Sequence, residues 1–117
     1  MGNIVAKFGG TSLASAAQFE KVREIVLSDP RRKYIVASAP GKRFPEDVKV
    51  TDLLLSCYHE AAAGEDFSEP LAKVSARFRE IIDDLHIDFP LEKEIGILRD
   101  KLMGRRTEIM RRAAANI

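Results

Sequence analysis

A chain of 117 residues with a single cysteine and a net charge of +1 can bury one domain-sized core and can form no internal disulfide. Hydrophobic residues at 45% and charged residues at 32% exclude a disordered polyelectrolyte and read as globular. The near-neutral total also excludes a chain that attracts nucleic acid by bulk charge.

No apolar run approaches the roughly 20 residues of a membrane span, and no charged-then-apolar leader opens the chain. "MGNIVA" begins Met-Gly, but Ala6 stands where N-terminal acylation wants Ser or Thr. The expectation is a cytoplasmic protein in a reducing compartment, with no membrane partner. Charge is uneven along the chain. Between Arg99 and Arg112 six basic residues face two acidic ones, so this segment carries +4 and the rest −3. No aromatic side chain interleaves it, which favours a solvated helix face over a nucleic-acid site.

In chain order, "NIVAKF" is short, β-branched and apolar, and Gly9-Gly10 ends it: a buried strand over about residues 3–8. Ser15 followed by Gln18 has capping-box spacing, and Ala16, Phe19, Val22 and Val26 form one helical stripe to about Ser28. Pro30 stops that helix and biases Asp29 to extended geometry. "KYIVASA" reads as a second buried strand, about residues 33–38. Strand, helix and strand with short joints make a βαβ unit, with parallel strands and a right-handed crossover.

"PGKRFPED" is a loop. After it, Val50, Leu53, Leu54, Cys57 and Ala61 share a helix face, and "AGEDFSEP" breaks that helix. Leu71, Val74, Phe78, Ile81, Ile82 and Leu85 form the cleanest amphipathic stripe in the chain. Ile95, Leu98 and Leu102 begin a fourth stripe whose next slots are Arg105 and Arg106. That helix either stops at Gly104 or loses its buried side there. Ile109, Met110 and Ala113 fit a helix resumed in a new register. Two parallel strands with four helices leave a sheet short of strands. Either helices dominate the fold, or its remaining strands lie outside the chain.

The stretch with chemistry in it is "KFGGTS", Lys7 to Ser12. A glycine pair leaving a strand permits positive φ and lets a bulky anion approach. Amides in such a turn converge on an anion, and a helix N-terminus after the turn adds partial positive charge. Thr11 and Ser12 add hydroxyls, and Lys7 adds an ammonium. The alternative is a tight strand-to-helix turn with Lys7 in solvent and Thr11 or Ser12 capping. Two named nucleotide motifs are absent. There is no G-x-G-x-x-G, and in "SAPGKR" Arg43 replaces the Ser or Thr of a P-loop.

"KFGGTS" directly after a first strand resembles the opening signature of the aspartate kinases, in the amino-acid-kinase superfamily. "YIVASAPGKR" is similar to that family's second strand and following loop, and "KVTDLL" to the start of its next helix. The helical stretch from Phe67 to about Gly104 is similar to an insertion found in some bacterial members.

The fold the resemblance implies is α/β. It is the N-terminal βαβ portion of a three-layer α/β/α amino-acid-kinase fold plus a helical hairpin, mostly helical by residue count. Residues 1–62 would be the glycine-loop portion and 67–113 the helical insertion. The activity implied is transfer of phosphate from ATP, with nucleotide-borne Mg2+, to the side-chain carboxylate of L-aspartate, the entry to lysine, threonine and methionine. The resemblance assigns Lys7, Phe8, Gly9, Gly10, Thr11 and Ser12 to the ATP phosphates, with Lys7 also catalytic. It assigns Ser38 and Thr51 to the amino-acid substrate. The attacking carboxylate, with an ordinary pKa of about 3.9, is already ionised at neutral pH, so no general base is needed. Alignment and charge relief suffice.

The chain departs from the family where a Ser-x-Gly-Glu stretch normally follows. "GRRTEIMRRAAANI" occupies that region, so Glu108 is a distant counterpart for substrate binding or an exposed helix charge. The family's later strands and regulatory parts are not here. The expectation is therefore an N-terminal fragment, inactive alone, without a metal site of its own.

Two rival readings stand beside it. One is a helical module that self-associates through exposed stripes of residues 67–113. The other is a nucleic-acid binder using the basic tail, against which the missing aromatics count. His59 and His86 have no partners at metal spacing and read as surface or packing residues. Cys57 reads as inert core, and Asp83-Asp84 and Glu65-Asp66 as solvated. Lys42 and Arg43 either guard the mouth of the site or solubilise the loop.

Overall fold

The computed structural model describes residues 2–115. Strand β1 (Ile4–Phe8) leads into a single 3-10 turn (Gly10–Leu13) and helix α1 (Ala16–Ser28). Strand β2 (Arg32–Ala37) follows, then helices α2 (Val50–Ala62), α3 (Ser68–Leu85) and α4 (Leu91–Ala115). The class is α/β and mostly helical.

β1 and β2 pair in parallel, with Lys7 opposite Val36 and Phe8 opposite Ala37. The expected βαβ unit is present, and its caps are those the sequence carries. Ser15 accepts a hydrogen bond from the Gln18 amide at 3.4 Å. At the other end of α1, Arg32 Nη1 and the Ser28 hydroxyl each donate to the Ile25 carbonyl at 2.7 Å, which satisfies one of the carbonyls a helix end leaves open. Asp29 is extended, as the following proline requires.

One apolar core joins α2, α3 and α4. Val50, Cys57 and Ala61 of α2 are fully buried, and Leu71, Val74 and Ile82 of α3 pack with Leu91, Ile95 and Leu102 of α4 in the same cluster. Helices α3 and α4 run antiparallel. Arg79 pairs with Glu92 at one end, and at the other Asp66 and Arg106 line the same groove. α3 stops at His86, which takes a left-handed conformation (φ 55°), and the Ile87 amide reaches back to the Ile82 carbonyl at 3.3 Å.

Two expectations change, and one open choice is decided. The strands are not buried: Val5 is 66% exposed, Tyr34 58% and Val36 48%. Their period and β-branching are those of a covered strand, but among the described residues β1 has one strand neighbour and β2 has no outer one. α1 likewise buries no residue fully. Of the two fates open to α4 at Gly104, the helix runs on without a break or a new register, and its outer turns lose their buried side, since among the described residues none beyond Leu102 is buried. The radius of gyration is 17.9 Å, against about 13 Å for a compact chain of this length.

Candidate functional site

Parallel strands end on the same side, so Phe8 and Ala37 deliver their following loops to one edge. Ligands of open α/β sheets bind at such an edge. Three main-chain hydrogen bonds then lace the loops together. The Ser38 amide donates to the Phe8 carbonyl at 3.1 Å, the Gly41 amide to the Gly10 carbonyl at 2.8 Å, and the Val50 amide to the Pro40 carbonyl at 2.9 Å. The last bond seats the N-terminus of α2 against the loop, with Thr51 in its first turn. Lys7, Gly9, Thr11, Ser38 and Thr51 are all exposed, Gly10 and Ser12 are half-buried, and the Phe8 side chain is buried beneath them. Phe8 thus offers the site only its main chain.

Gly9 and Gly10 do not take the positive φ that a glycine pair permits. Gly9 has φ −76°, and among the described residues Gly64 is the glycine with positive φ. The chain leaves β1 through a right-handed 3-10 turn, which needs no left-handed residue. What requires glycine is space. A Cβ on Gly41 would stand 2.6 Å from the carbonyl carbon of Gly10 and 2.8 Å from the Thr11 nitrogen. A Cβ on Gly10 would meet the Ala39 carbonyl oxygen at 3.2 Å, whereas Gly9 faces open space. Nor does a long helix begin at the turn: α1 starts at Ala16, after its cap at Ser15. The positive character at the turn comes from Lys7 and local amides.

The loop after β2 is held from within. Arg43 clasps Asp47 with two side-chain bonds, at 2.7 and 3.0 Å, and its amide adds a third at 3.0 Å. These bonds, led by the guanidinium contacts, hold the Asp47 carboxyl well below the usual carboxylate range. Glu80 of α3 takes the remaining arm of Arg43 at 3.1 Å. Arg43 is thus tied to Asp47 and Glu80 rather than free at the mouth.

Beneath this loop lies Arg77, 5% exposed, which the sequence reading passed over. Burial, with Arg43 nearby, lowers its pKa from the ordinary arginine value, and its donors reach three loop carbonyls. The signal was present: Arg77 lies three residues after Val74 and four before Ile81, inside the buried stripe.

Glu108 is not brought to these loops. It sits in the outer part of α4, bonded by Arg111 at 2.7 Å and Arg112 at 2.9 Å, which lower its pKa. That stretch of α4 touches the far end of α2, where Arg106 donates to the Gly64 carbonyl. Thirteen residues of α2 separate the two ends by about 20 Å. A groove of about 640 Å³ between α3 and α4, lined by Leu71, Ser75, Arg79, Ile95, Arg99 and Arg106 among others, takes no residue from the glycine turn. Among the described residues no group of three metal-capable side chains converges. No helix of the described chain is long and apolar enough to cross a membrane. Cys57 is buried, and that burial raises its thiol pKa.

No family model matches the chain. It is 49% identical over 83 residues to aspartokinase 3 of Bacillus subtilis, covering 71% of this chain and 18% of that protein. It is 34% identical over 91 residues to an aspartokinase of Chlamydia pneumoniae, covering 78% of this chain and 18% of the relative. Its fold matches the crystal structure of Clostridium acetobutylicum aspartate kinase with a TM-score of 0.85 and 39% identity, over 89% of this chain and 24% of that one. The chain therefore spans less than a quarter of the length of these relatives. In sequence and in fold together, it belongs to the aspartate kinase family.

Proposed function

We propose that this chain supplies the phosphate-facing part of an aspartate kinase active site, which transfers the γ-phosphoryl group of ATP to the side-chain carboxylate of L-aspartate. The observation that carries the reading is the lacing of the glycine turn, Ser38 and the start of α2 by three main-chain bonds. It sets the exposed Lys7, Gly9, Thr11, Ser38 and Thr51 on one edge of the sheet. A carboxylate oxygen attacks the γ-phosphorus, and the bond to the β-phosphate oxygen breaks to leave ADP. Lys7 offsets negative charge on the transferred group, the amides of Gly9 to Ser12 hold phosphate oxygens, and Thr11 and Ser12 add hydroxyl donors. Ser38 and Thr51 orient the amino acid. Mg2+ fits as a nucleotide-borne ion that the phosphate oxygens and water hold.

The edge is open on its outer side, so a nucleotide bound to this chain alone leaves most of its surface in water and binds weakly. The test is an amide NMR titration with Mg-ATP. Shifts confined to Gly9–Ser12 and Ser38, lost in Lys7→Ala, support the reading, with no aspartate-dependent ADP release by the 117-residue chain alone. Shifts scattered over α3 and α4 and indifferent to Lys7 would overturn it.

A second reading rests on the exposed apolar residues Val5, Tyr34, Ile35 and Val36. They favour self-association through the sheet rather than through the helical stripes, whose apolar sides are buried in the core as far as Leu102.

A further inference from the structure

Arg77 sits in the apolar stripe of α3, yet its guanidinium does not bond within that helix. Nη2 donates to the Gly41 carbonyl at 2.7 Å and to the Ala14 carbonyl at 3.2 Å. Nη1 donates to the Val48 carbonyl at 3.0 Å and stands 3.5 Å from Asp47 Oδ2. These carbonyls belong to three separate stretches: the exit of the 3-10 turn, the middle of the loop after β2, and the approach to α2. The sequence separations are 63, 36 and 29 residues. One planar group therefore ties together the segments that carry Thr11, Gly41 and Thr51.

The geometry demands arginine. A guanidinium presents five donors in a fixed fork, and three diverging carbonyls can be met from its two terminal nitrogens at once. An ammonium is a point donor on a flexible stem and cannot span the same three positions. The charge beneath the loop is opposed by Asp47, which Arg43 also clasps.

Resting on the reading of the glycine turn as an anion cradle, we propose that Arg77 is a positioning residue. It locks Gly41 against Gly10 and so fixes the width of the cradle, without touching the ligand. The lock stands in series with the Gly41-to-Gly10 hydrogen bond. Releasing Arg77 frees the Gly41 carbonyl, lets the loop lift, and opens that bond while the α2–α3–α4 core stays closed.

The experiment measures amide hydrogen exchange and tripolyphosphate binding by NMR on the full chain, unaltered and as Arg77→Lys, Arg77→Gln and Lys7→Ala. Arg77→Gln guards against a lysine that fails to fold with its charge buried. In both Arg77 variants the Gly41 amide is expected to lose about tenfold or more of its protection while the Cys57 and Val74 amides keep theirs. Tripolyphosphate affinity should fall in parallel. In Lys7→Ala the affinity falls while Gly41 protection is unchanged. Gly41 protection equal to that of the unaltered chain in both Arg77 variants overturns the proposal. So does loss of core protection together with Gly41, which would make Arg77 a general core residue. If the unaltered chain binds no tripolyphosphate, the cradle reading falls on its own, and Gly41 exchange still decides the role of Arg77.

Discussion

The Gly41 amide donates to the Gly10 carbonyl at 2.8 Å, and the two backbones lie so close that a Cβ on Gly41 would stand 2.6 Å from Gly10. Backbone is the obstacle, so no side chain can swing aside. Gly41→Ala should cost about 1–3 kcal/mol of stability, the range for forced overpacking, and should loosen the loop. Gly9→Ala meets nothing within 4 Å at an ordinary φ, so it should fold as well as the unaltered chain while its methyl obstructs the anion. Urea melts and tripolyphosphate titrations of the two variants separate space in the fold from space for the ligand. Equal stability for both would contradict the packing.

Asp47 gives the loop its pH dependence. Hydrogen bonds from Arg43 depress its carboxyl below the ordinary carboxylate range. A depressed folded-state pKa contributes stability above the unfolded value of about 3.9, and that stability is lost as pH falls through the folded one. The loop should therefore stay closed at neutral pH and begin to open only in strong acid. Carboxyl 13C titration should show Asp47 still ionised below the ordinary carboxylate range. Asp29, drawn down to about 2 chiefly by side-chain bonds from Arg31, should behave alike without affecting the loop. An Asp47 midpoint in the ordinary carboxylate range would refute the clasp.

Two opposite substitutions test one physical rule about helices. His86 ends α3 in a left-handed conformation that suits glycine. Gly104 lies inside α4 with open space where a Cβ would go. His86→Gly and Gly104→Ala should each stabilise the chain by about 0.5–1 kcal/mol, read as a raised thermal midpoint. A lowered midpoint for Gly104→Ala would show that the helix does not continue through that position.

The exposed face of β2 predicts association. Tyr34 and Val36 alternate onto one face of β2, and an uncovered apolar strand pairs with others unless charge blunts it. Light scattering should find a concentration-dependent dimer that the double variant Tyr34→Lys, Val36→Lys reduces to monomer. A dimer that survives both lysines would move the contact elsewhere.

Local order was legible because local forces set it. The Ser15 cap, the stop at Pro30 and the stripe of Leu71, Val74 and Ile81 each act over one or two helical turns, and each appears where its spacing puts it. The glycine turn was legible as a motif of six adjacent residues. The buried partner of that turn was not, since Arg77 meets Ala14, Gly41 and Val48 across 29 to 63 positions of chain, and no periodicity encodes such a meeting. The same limit explains the strands. Alternation and β-branching say that a segment suits a covered sheet, while only its neighbours determine whether cover is present.

The sequence by itself determined which segments are helix or strand, where all but the last helix stop, and which short stretch carries lysine, glycine and hydroxyl groups fit for an anion. Tertiary structure decided that Gly41 rather than Gly9 has no room for a side chain, that Arg77 lies under the loops, and that Glu108 stands at the far end of α2. The reason is range: propensity and capping are settled by neighbours in sequence, whereas space and buried donors are settled by whatever distant backbone arrives beside them.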